Sequence, residues 1–502
     1  MLVRNVNWDQ TADVVIVGYA AAGAVAAITA HDAGAQVLIL EKQAEKGQVT
    51  NSNMSGGIFI CPSDVNTAIQ YLETLYRVDR SLYWTGRDII RVWAQYAAEN
   101  KTWMEQHGAQ LQLFSRGGEH KIPGYETIEL WKHRGWGYGF MNNLYAQVRA
   151  RDIPVLYQTP TRRLLTNLRG QVIGVRASQD QDGAKRPINI GARRAVIMTC
   201  GGFEFNEEMK LQYLKAYPTH FYGSPHNTGD GVLMAQEVGA SLWHMNSCSA
   251  RIVGKFPDFP IAFMFDYGGR GWTVKVVSHS EEAPSQPAGF IIVDRHGRRF
   301  TSEDFKIHSL YYELTVYDTH RLEYPRIPSY WVFDQQRMEG GPLPLLIAGP
   351  AGPVRLYKWS QDNRAELDRG WIIQADTVSN LARKLGMEPQ VLSQTVRAYN
   401  RYCAQGEDPD FHRAPARLIP LQGPPFYAVA VWPGGPNTQG GPRRNRRAQV
   451  LNVDGGPIPR LYAAGELGSV YGMLYPSGGG NLAECIAFGR IAGENAVREK
   501  PR

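Results

Sequence analysis

The chain has 502 residues, 43% of them hydrophobic and 11% aromatic, which exceeds the size of one core, predicts two or more domains and excludes a disordered or low-complexity polymer. Its net charge of +7 is small for this length. The densest basic run, Arg443-Arg-Asn-Arg-Arg447, has no nucleic-acid-binding motif beside it and reads as a solvated loop, so no nucleic-acid partner is expected.

In chain order, the first element is Asp13-Val-Val-Ile-Val17, a short apolar run of the kind that forms a parallel strand buried on both faces. Gly18-Tyr-Ala-Ala-Ala-Gly23 then opens a helix predicted to reach about Ala33, and Val37–Leu40 is the second strand. This strand–helix–strand opening gives the glycines their meaning. Gly18 permits a tight turn, and a small residue at position 20 lets backbone approach a pyrophosphate. Gly23 lets helix pack on strand, and the helix start at Ala21 and Ala22 offers free N–H groups and a positive dipole end. Ala20 stands where the fingerprint has its second glycine. Glu41, 23 residues after Gly18 and followed by Lys42, ends the second strand where a carboxylate accepts ribose hydroxyls. Together these features predict dinucleotide binding.

Further on, Val155–Gln158 and Val172–Ala177 read as a β-meander flanking Gly170, and Ala195–Gly202 as an apolar strand ending in a small-residue turn with Thr199 and Gly201. Asn227-Thr-Gly-Asp230-Gly supplies an aspartate suited to a ribityl or phosphate contact. From about Trp243 aromatic residues and prolines become frequent. Gly289–Val293 with Arg298-Arg-Phe300 suggests a separate sheet-containing unit, and Asp376–Tyr399 carries helical periodicity. After about Pro425 glycine-rich sequence returns: Leu461-Tyr-Ala-Ala-Gly465-Glu466, then Tyr475-Pro-Ser477-Gly-Gly-Gly480-Asn481. A domain inserted between two halves of a nucleotide-binding domain accounts for this order. The expected division is 1–242 and 426–502 for the cofactor domain and 243–425 for a substrate or capping domain. No second glycine fingerprint follows a strand, so a separate NADPH domain is not expected.

Cys61, Cys200, Cys248, Cys403 and Cys485 are scattered with no CxxC spacing, which speaks against a disulfide framework, a zinc site or an iron–sulfur cluster. The first residues lack a charged start followed by a long apolar run. No stretch reaches the roughly 18 uninterrupted apolar residues of a spanning helix. A cytoplasmic protein without a membrane span is the expectation.

The chain resembles the fumarate reductase/succinate dehydrogenase flavoprotein superfamily, and within it the 3-ketosteroid dehydrogenase branch. The resemblance covers nearly the whole sequence. It rests on Gly18–Gly23, Glu41-Lys42, Ser52-Asn-Met-Ser-Gly-Gly57, Thr228-Gly-Asp-Gly231, Gly297-Arg-Arg-Phe300, Gly440-Gly441 and Gly465-Glu466 through Gly493. It implies an α/β fold, a Rossmann-type (GR2-like) FAD-binding domain with an inserted α+β substrate/capping domain. It also implies Glu466 on the ribityl chain of FAD, and Asn481 and Leu482, preceded by Gly480, beside the isoalloxazine ring. Ser52, Asn53, Met54, Ser55, Gly56 and Gly57 are implied on the ring and pyrophosphate. Members that attach FAD covalently place a histidine in the segment read here as Asn51-Ser52-Asn53, so non-covalent FAD is expected.

Dicarboxylate-reducing relatives clamp two carboxylates with arginines and histidines through charge-assisted bonds. Where they read His-Thr-x-Gly-Gly, this chain has Asn437-Thr438-Gln439-Gly440-Gly441. Their active-site arginines fall at Ser477 and near Ile307, flanked by Lys306 and His308. Fumarate-type chemistry is therefore not expected. Ketosteroid dehydrogenases instead carry a tyrosine four residues before a glycine, a spacing matched by Tyr475 and Gly479, and Tyr475-x-Ser477 resembles the variant that introduces the 4,5 double bond. A phenol donor plus a backbone N–H makes an oxyanion hole for an enolate-like transition state, and the β-hydrogen leaves as hydride to flavin N5. For the base, Lys306, His308 and Tyr138 are candidates, a Lys or His serving if burial brings its pKa toward neutral.

The structural alternatives are that Tyr475 fills a packed turn, that Ser477 is a helix N-cap, and that Lys306 and His308 lie at the surface. Trp131–Tyr138 reads either as a pocket wall or as an aromatic loop, and Phe263–Tyr267 with Trp272 as pocket lining or as core. The expected activity is introduction of a C=C bond α,β to the carbonyl of a cyclic ketone, 3-ketosteroids included. Reduction of an α,β-unsaturated ketone or acid is the enzymatic alternative, and a redox-silent flavin-binding scaffold the non-enzymatic one. Electrons would pass to an external carrier, a quinone or oxygen.

Overall fold

A computed structural model describes residue 2 and residues 6–181, 184–271, 273, 287–304, 308 and 310–502. The chain divides into two compact units, one of Met1–Leu214, Ser224–Ser249 and Asn437–Arg502, the other of Lys215–Gly223 and Ala250–Pro436.

The first unit is built on a sheet whose middle is parallel. Strand β1 (Gln10–Val17) pairs with β2 (Val37–Leu40) from Val14↔Val37 to Val17↔Leu40. On its other side lies Ala184–Met198, which in turn pairs in parallel with Pro457–Ala463. Both faces of β1 are covered, which is why Val14, Val15, Ile16 and Val17 run without a polar interruption and are all buried. Helix α1 (Ala21–Asp32) is almost entirely small and apolar, because it is enclosed by the final helix, Gly480–Val497. A side chain at Gly489 or Gly493 would come within 2.9 Å of Val25 or of the Ala26 carbonyl; small residues are what lets the two helices approach. An antiparallel three-stranded sheet of Ile58–Pro62, Ile128–His133 and Leu111–Arg116 completes this unit, with helices Val65–Val78 and Arg87–Ala98.

The predicted meander is corrected. Val155–Leu156 joins β2 in parallel at the sheet edge, bounded by Pro154 and Pro160. The antiparallel set is Thr161–Thr166, Val172–Gln181 and Ala184–Met198, its first turn carrying Gly170. The basic run Arg443–Arg447 is not all solvated either. Arg444 is fully buried and forms an ion pair with the equally buried Glu484, while donating to the Ala463, Gly465 and Gly468 carbonyls.

In the second unit Phe290–Val293 lies antiparallel to Ser329–Asp334, which pairs with Phe426–Thr438 from Ser329↔Val431 to Asp334↔Phe426. Side chains alternate between faces. Phe290, Ile292, Trp331 and Phe333 enter one core with Phe263, Phe265 and Tyr267, and Ile291, Val293 and Val332 enter another under Leu381, Leu392 and Tyr399. Phe263–Tyr267 is thus core, whereas Trp272 lies outside the described residues. The helical stretch predicted over Asp376–Tyr399 is two helices, Val378–Lys384 and Pro389–Gln405, broken where Gly386 takes φ +71° and Pro389 starts the next. Arg299 of the Gly297–Phe300 piece is tied to Glu303 at 2.6 Å and Asp408 at 2.8 Å.

The five cysteines are free thiols. Among the described residues no helix is long and apolar enough to cross a membrane, and no cluster of side chains fits a metal ion.

Candidate active site

The site starts at the turn between β1 and α1. Gly18 has φ +104°, and a Cβ there would stand 2.5 Å from the Thr199 carbonyl oxygen, so only glycine allows the two strands' ends to close. The Thr199 hydroxyl fastens the turn by hydrogen bonding to the Val17 and Gly18 carbonyls at 3.0 and 2.9 Å. The start of α1 has no side-chain cap and no acidic residue in its first turn. Its N–H groups therefore face outward, except that Ala21 donates to Ser52 Oγ at 3.3 Å. At the end of β2, Glu41 is buried and accepts from the Tyr19 and Gln43 N–H groups at 2.9 and 2.8 Å. Burial lifts its carboxyl above the ordinary carboxylate range against those two donors.

These residues border a cleft of about 790 Å³ including its open mouth, within the range of small-molecule sites. Of the predicted cofactor residues, Gly18, Ala22, Glu41, Lys42, Ser52, Thr199, Gly201, Asp230 and Glu466 line it. Lys42 and Asp230 meet there, Nζ to Oδ2 at 2.7 Å, and the other Asp230 oxygen accepts from Thr228. Outside the lining are Ala21, Gly23, Asn53, Met54, Ser55, Gly56, Gly57, Gly480, Asn481 and Leu482. Gly23 is pressed against the Gly18 carbonyl. Asn53 is one half of a capping box with Thr50, and Ser55 bonds Ser52 O and Gly57 N. Gly480, Asn481 and Leu482 form the first turn of the last helix. An uncapped helix start, a glycine-only turn and a carboxylate at the end of the second strand fit the pyrophosphate and ribose of a flavin dinucleotide.

Glu466 sits in a net of donors: Gly202 N and Asn227 Nδ2 on one oxygen at 2.9 and 3.1 Å, Asn51 Nδ2 on the other at 2.8 Å. Asn51 also accepts from Ser224 N. Glu204, which sequence reasoning passed over, lies against this net and accepts from the Thr438 N–H and hydroxyl. Its signal was an acid two residues after the small-residue turn Gly201-Gly202 that ends a buried strand.

The late glycine segment brings Tyr475, Gly479 and Gly480 together. Tyr475 is 4% exposed, and its hydroxyl accepts the Asn481 N–H at 2.6 Å. Its ring packs edge-on to Tyr471, centroids 5.4 Å apart. Gly479, at φ +85°, is the N-cap of the last helix, with no side-chain cap. Ser477 is buried but is not the N-cap. Its carbonyl takes the Gly480 N–H at 3.3 Å, a bond that closes the turn before the helix begins. Tyr138 stands in the helix Trp136–Arg149 and is 50% exposed.

Two base candidates fall in the second unit. Lys306 lies outside the described residues. His308, expected at the surface, is instead 4% exposed, and its Nε2 lies 3.3 Å from an Arg251 guanidinium nitrogen. Arg251 belongs to the strand Cys248–Gly254, otherwise made of small and apolar residues. Its Nε is buried without a hydrogen-bond partner, and among the described residues no carboxylate pairs with it. A lone arginine in such a strand was the signal sequence reasoning missed.

The sequence matches the FAD binding domain family over residues 13–482. It is 30% identical to a probable fumarate reductase of Shewanella frigidimarina across 98% of this chain and 75% of that protein. It is 31% identical to a 3-oxosteroid 1-dehydrogenase of Mycobacterium tuberculosis across 71% of this chain and 62% of that protein. The fold is shared with a 3-ketosteroid Δ1-dehydrogenase from Sterolibacterium denitrificans at a TM-score of 0.79 and 21% identity, covering 97% of this chain and 99% of that one. The chain therefore belongs to the FAD binding domain family, and it is an FAD-dependent oxidoreductase acting on CH–CH groups.

Proposed function

We propose that the protein desaturates a cyclic ketone next to its carbonyl, with Tyr475 as the hydrogen-bond donor to the carbonyl oxygen and the Gly479 N–H as its companion. The observation that carries this reading is the Asn481 N–H donated into the Tyr475 hydroxyl at 2.6 Å. A phenol oxygen that accepts a hydrogen bond becomes a better donor through its own proton, because neighbouring bonds polarise one another. Set in a buried turn at a helix start, that donor favours negative charge developing on a ketone oxygen and so acidifies the α-carbon. Bound FAD supplies the hydride acceptor. Tyr138 and His308 are the described candidates for taking the α-proton, and the unit containing Ala250–Pro436 is read as the substrate unit. FAD is held without a covalent bond. No histidine occurs in Asn51–Asn53, and burial keeps the cleft thiols Cys200 and Cys485 protonated, each pushed up to about 12.

The test is an anaerobic visible titration of the FAD-loaded protein with 3-ketosteroids and simpler cyclic ketones. Bleaching of the oxidised flavin bands by a saturated ketone is the expected result. A flavin that stays oxidised with every ketone defeats the proposal.

One observation favours a second reading, reduction of an unsaturated acid. A guanidinium with a buried, unpartnered nitrogen and no carboxylate beside it among the described residues, as at Arg251, is costly unless an anion arrives. Under that reading dithionite-reduced flavin reoxidises on adding an α,β-unsaturated acid, and Arg251→Met abolishes the response.

A further inference from the structure

The first unit holds two acids where one would suffice. Glu204 is fully buried. Its Oε1 accepts from the Thr438 N–H at 2.6 Å and the Thr438 hydroxyl at 3.1 Å, while its Oε2 is buried with no partner. Glu466 borders the FAD cleft, and Glu204 does not. Both carboxyls converge on Gly202: a Cβ there would stand 2.7 Å from Glu204 Oε1 and 2.9 Å from Glu466 Oε1. The Gly202 N–H itself donates to Glu466 Oε1 at 2.9 Å, so the two carboxyls face the same small volume beside that residue.

Among the described residues no cation pairs with either acid. Lys42 is engaged by Asp230. Arg444 donates to the Gly465 carbonyl next door but is paired with Glu484. Two adjacent carboxylates, one fully buried and the other partly buried at the cleft wall, resist being ionised together, and without a counter-charge the relief comes from a proton. Burial first, then the charge and hydrogen bond of Glu204, hold the Glu466 carboxyl well above the ordinary range, against the Asn51 and Gly202 donors. Besides Lys42 and Asp230, the other titratable groups on this cleft are Tyr19, whose phenol pKa is raised by burial, Glu41, Cys200, Cys485 and His226. Both thiols stay protonated below about 12. The His226 imidazole is held below its usual value by burial and by Lys42.

We propose that Glu204 is a positioning residue that makes Glu466 half of a proton-sharing pair, and that filling the cleft with FAD draws a second proton onto the pair. A ligand that displaces water from Glu466 raises the cost of the pair's remaining charge, so binding and protonation favour each other. Retention of FAD is therefore coupled to pH through a residue outside the cleft lining. This rests on the FAD site alone, so it stands or falls separately from the ketone chemistry.

The experiment is calorimetric titration of FAD into the apoprotein at neutral pH in phosphate and in Tris, whose ionisation heats differ. Fluorescence-based dissociation constants are measured across pH in parallel. Wild type is expected to take up as much as about one proton per FAD, with affinity falling by up to about tenfold per pH unit as pH rises through the pair's titration. Glu204→Gln keeps an acceptor for Thr438 but cannot share a proton. It is expected to bind FAD with no proton uptake and a flat profile. Should that variant not fold, Glu466→Gln, which removes the other half, must lose the uptake instead. His226→Asn is expected to keep it. No exchange or proton release in wild type, persistence of uptake in Glu204→Gln or, if that variant does not fold, in Glu466→Gln, or its loss in His226→Asn overturns the proposal.

Discussion

Replacing Tyr475 with phenylalanine separates the structural and chemical roles of one hydroxyl. The ring stays in its buried place against Tyr471, so no cavity opens. What disappears is the acceptor of the Asn481 N–H, a 2.6 Å bond at the start of the last helix. A part-buried N–H left without its partner costs at most about 1–3 kcal/mol, which urea denaturation of the FAD-loaded protein reads directly. If the same hydroxyl is the donor to a developing enolate oxygen, its loss removes about 3–4 kcal/mol from the transition state, a fall of about 10²–10³ in the rate of flavin bleaching at saturating ketone. The two effects appear in different measurements. Stopped-flow absorbance under anaerobic conditions gives the second, and it is compared at equal flavin occupancy so that loss of FAD does not imitate it. A variant that loses stability as calculated yet bleaches its flavin within about threefold of the wild-type rate refutes the catalytic assignment, leaving Tyr475 as a filler of the turn.

Two further outcomes are expected. Gly18→Ala places a methyl group 2.5 Å from the Thr199 carbonyl at φ +104°. The backbone strain of about 1–3 kcal/mol, with overpacking of similar size, opens the cradle and lowers FAD affinity by about tenfold or more; fluorescence titration showing unchanged affinity would be incompatible with that. His244 is buried, bonded to the Ser469 carbonyl at 2.8 Å and lying 3.2 Å from the Thr85 hydroxyl. Burial above all pushes its imidazole down to about 4. Because the folded value lies below the unfolded value of about 6.5, its contribution is fully present above pH 6.5 and is lost as pH falls toward 4, amounting to about 2 kcal/mol by pH 5. His244→Gln should therefore lose less stability than wild type between pH 7 and pH 5, and equal losses would disprove the linkage.

The β1–α1–β2 opening and its nucleotide chemistry were legible because everything needed lies within Asp13–Lys42. An apolar run, a glycine turn, a small-residue helix and an acid follow one another, and local periodicity reports local structure. The apolar run Phe290–Val293 announced a sheet in the second unit for the same reason. What stayed hidden depends on residues far apart in the chain. Arg444 looked like one member of a charged loop, yet it is buried because Glu484 lies beside it. His308 looked like a surface residue until Arg251, 57 positions earlier, came within 3.3 Å. Glu204 and Glu466 are 262 residues apart, and neither carries a local sign of the other. The family, the cofactor and the strands that cradle it could be read without coordinates, because those are written in consecutive residues. Which charged groups lost their water, and which neighbour each then faced, emerged only once the chain was folded, since desolvation and Coulomb energy depend on distance in space and not along the chain.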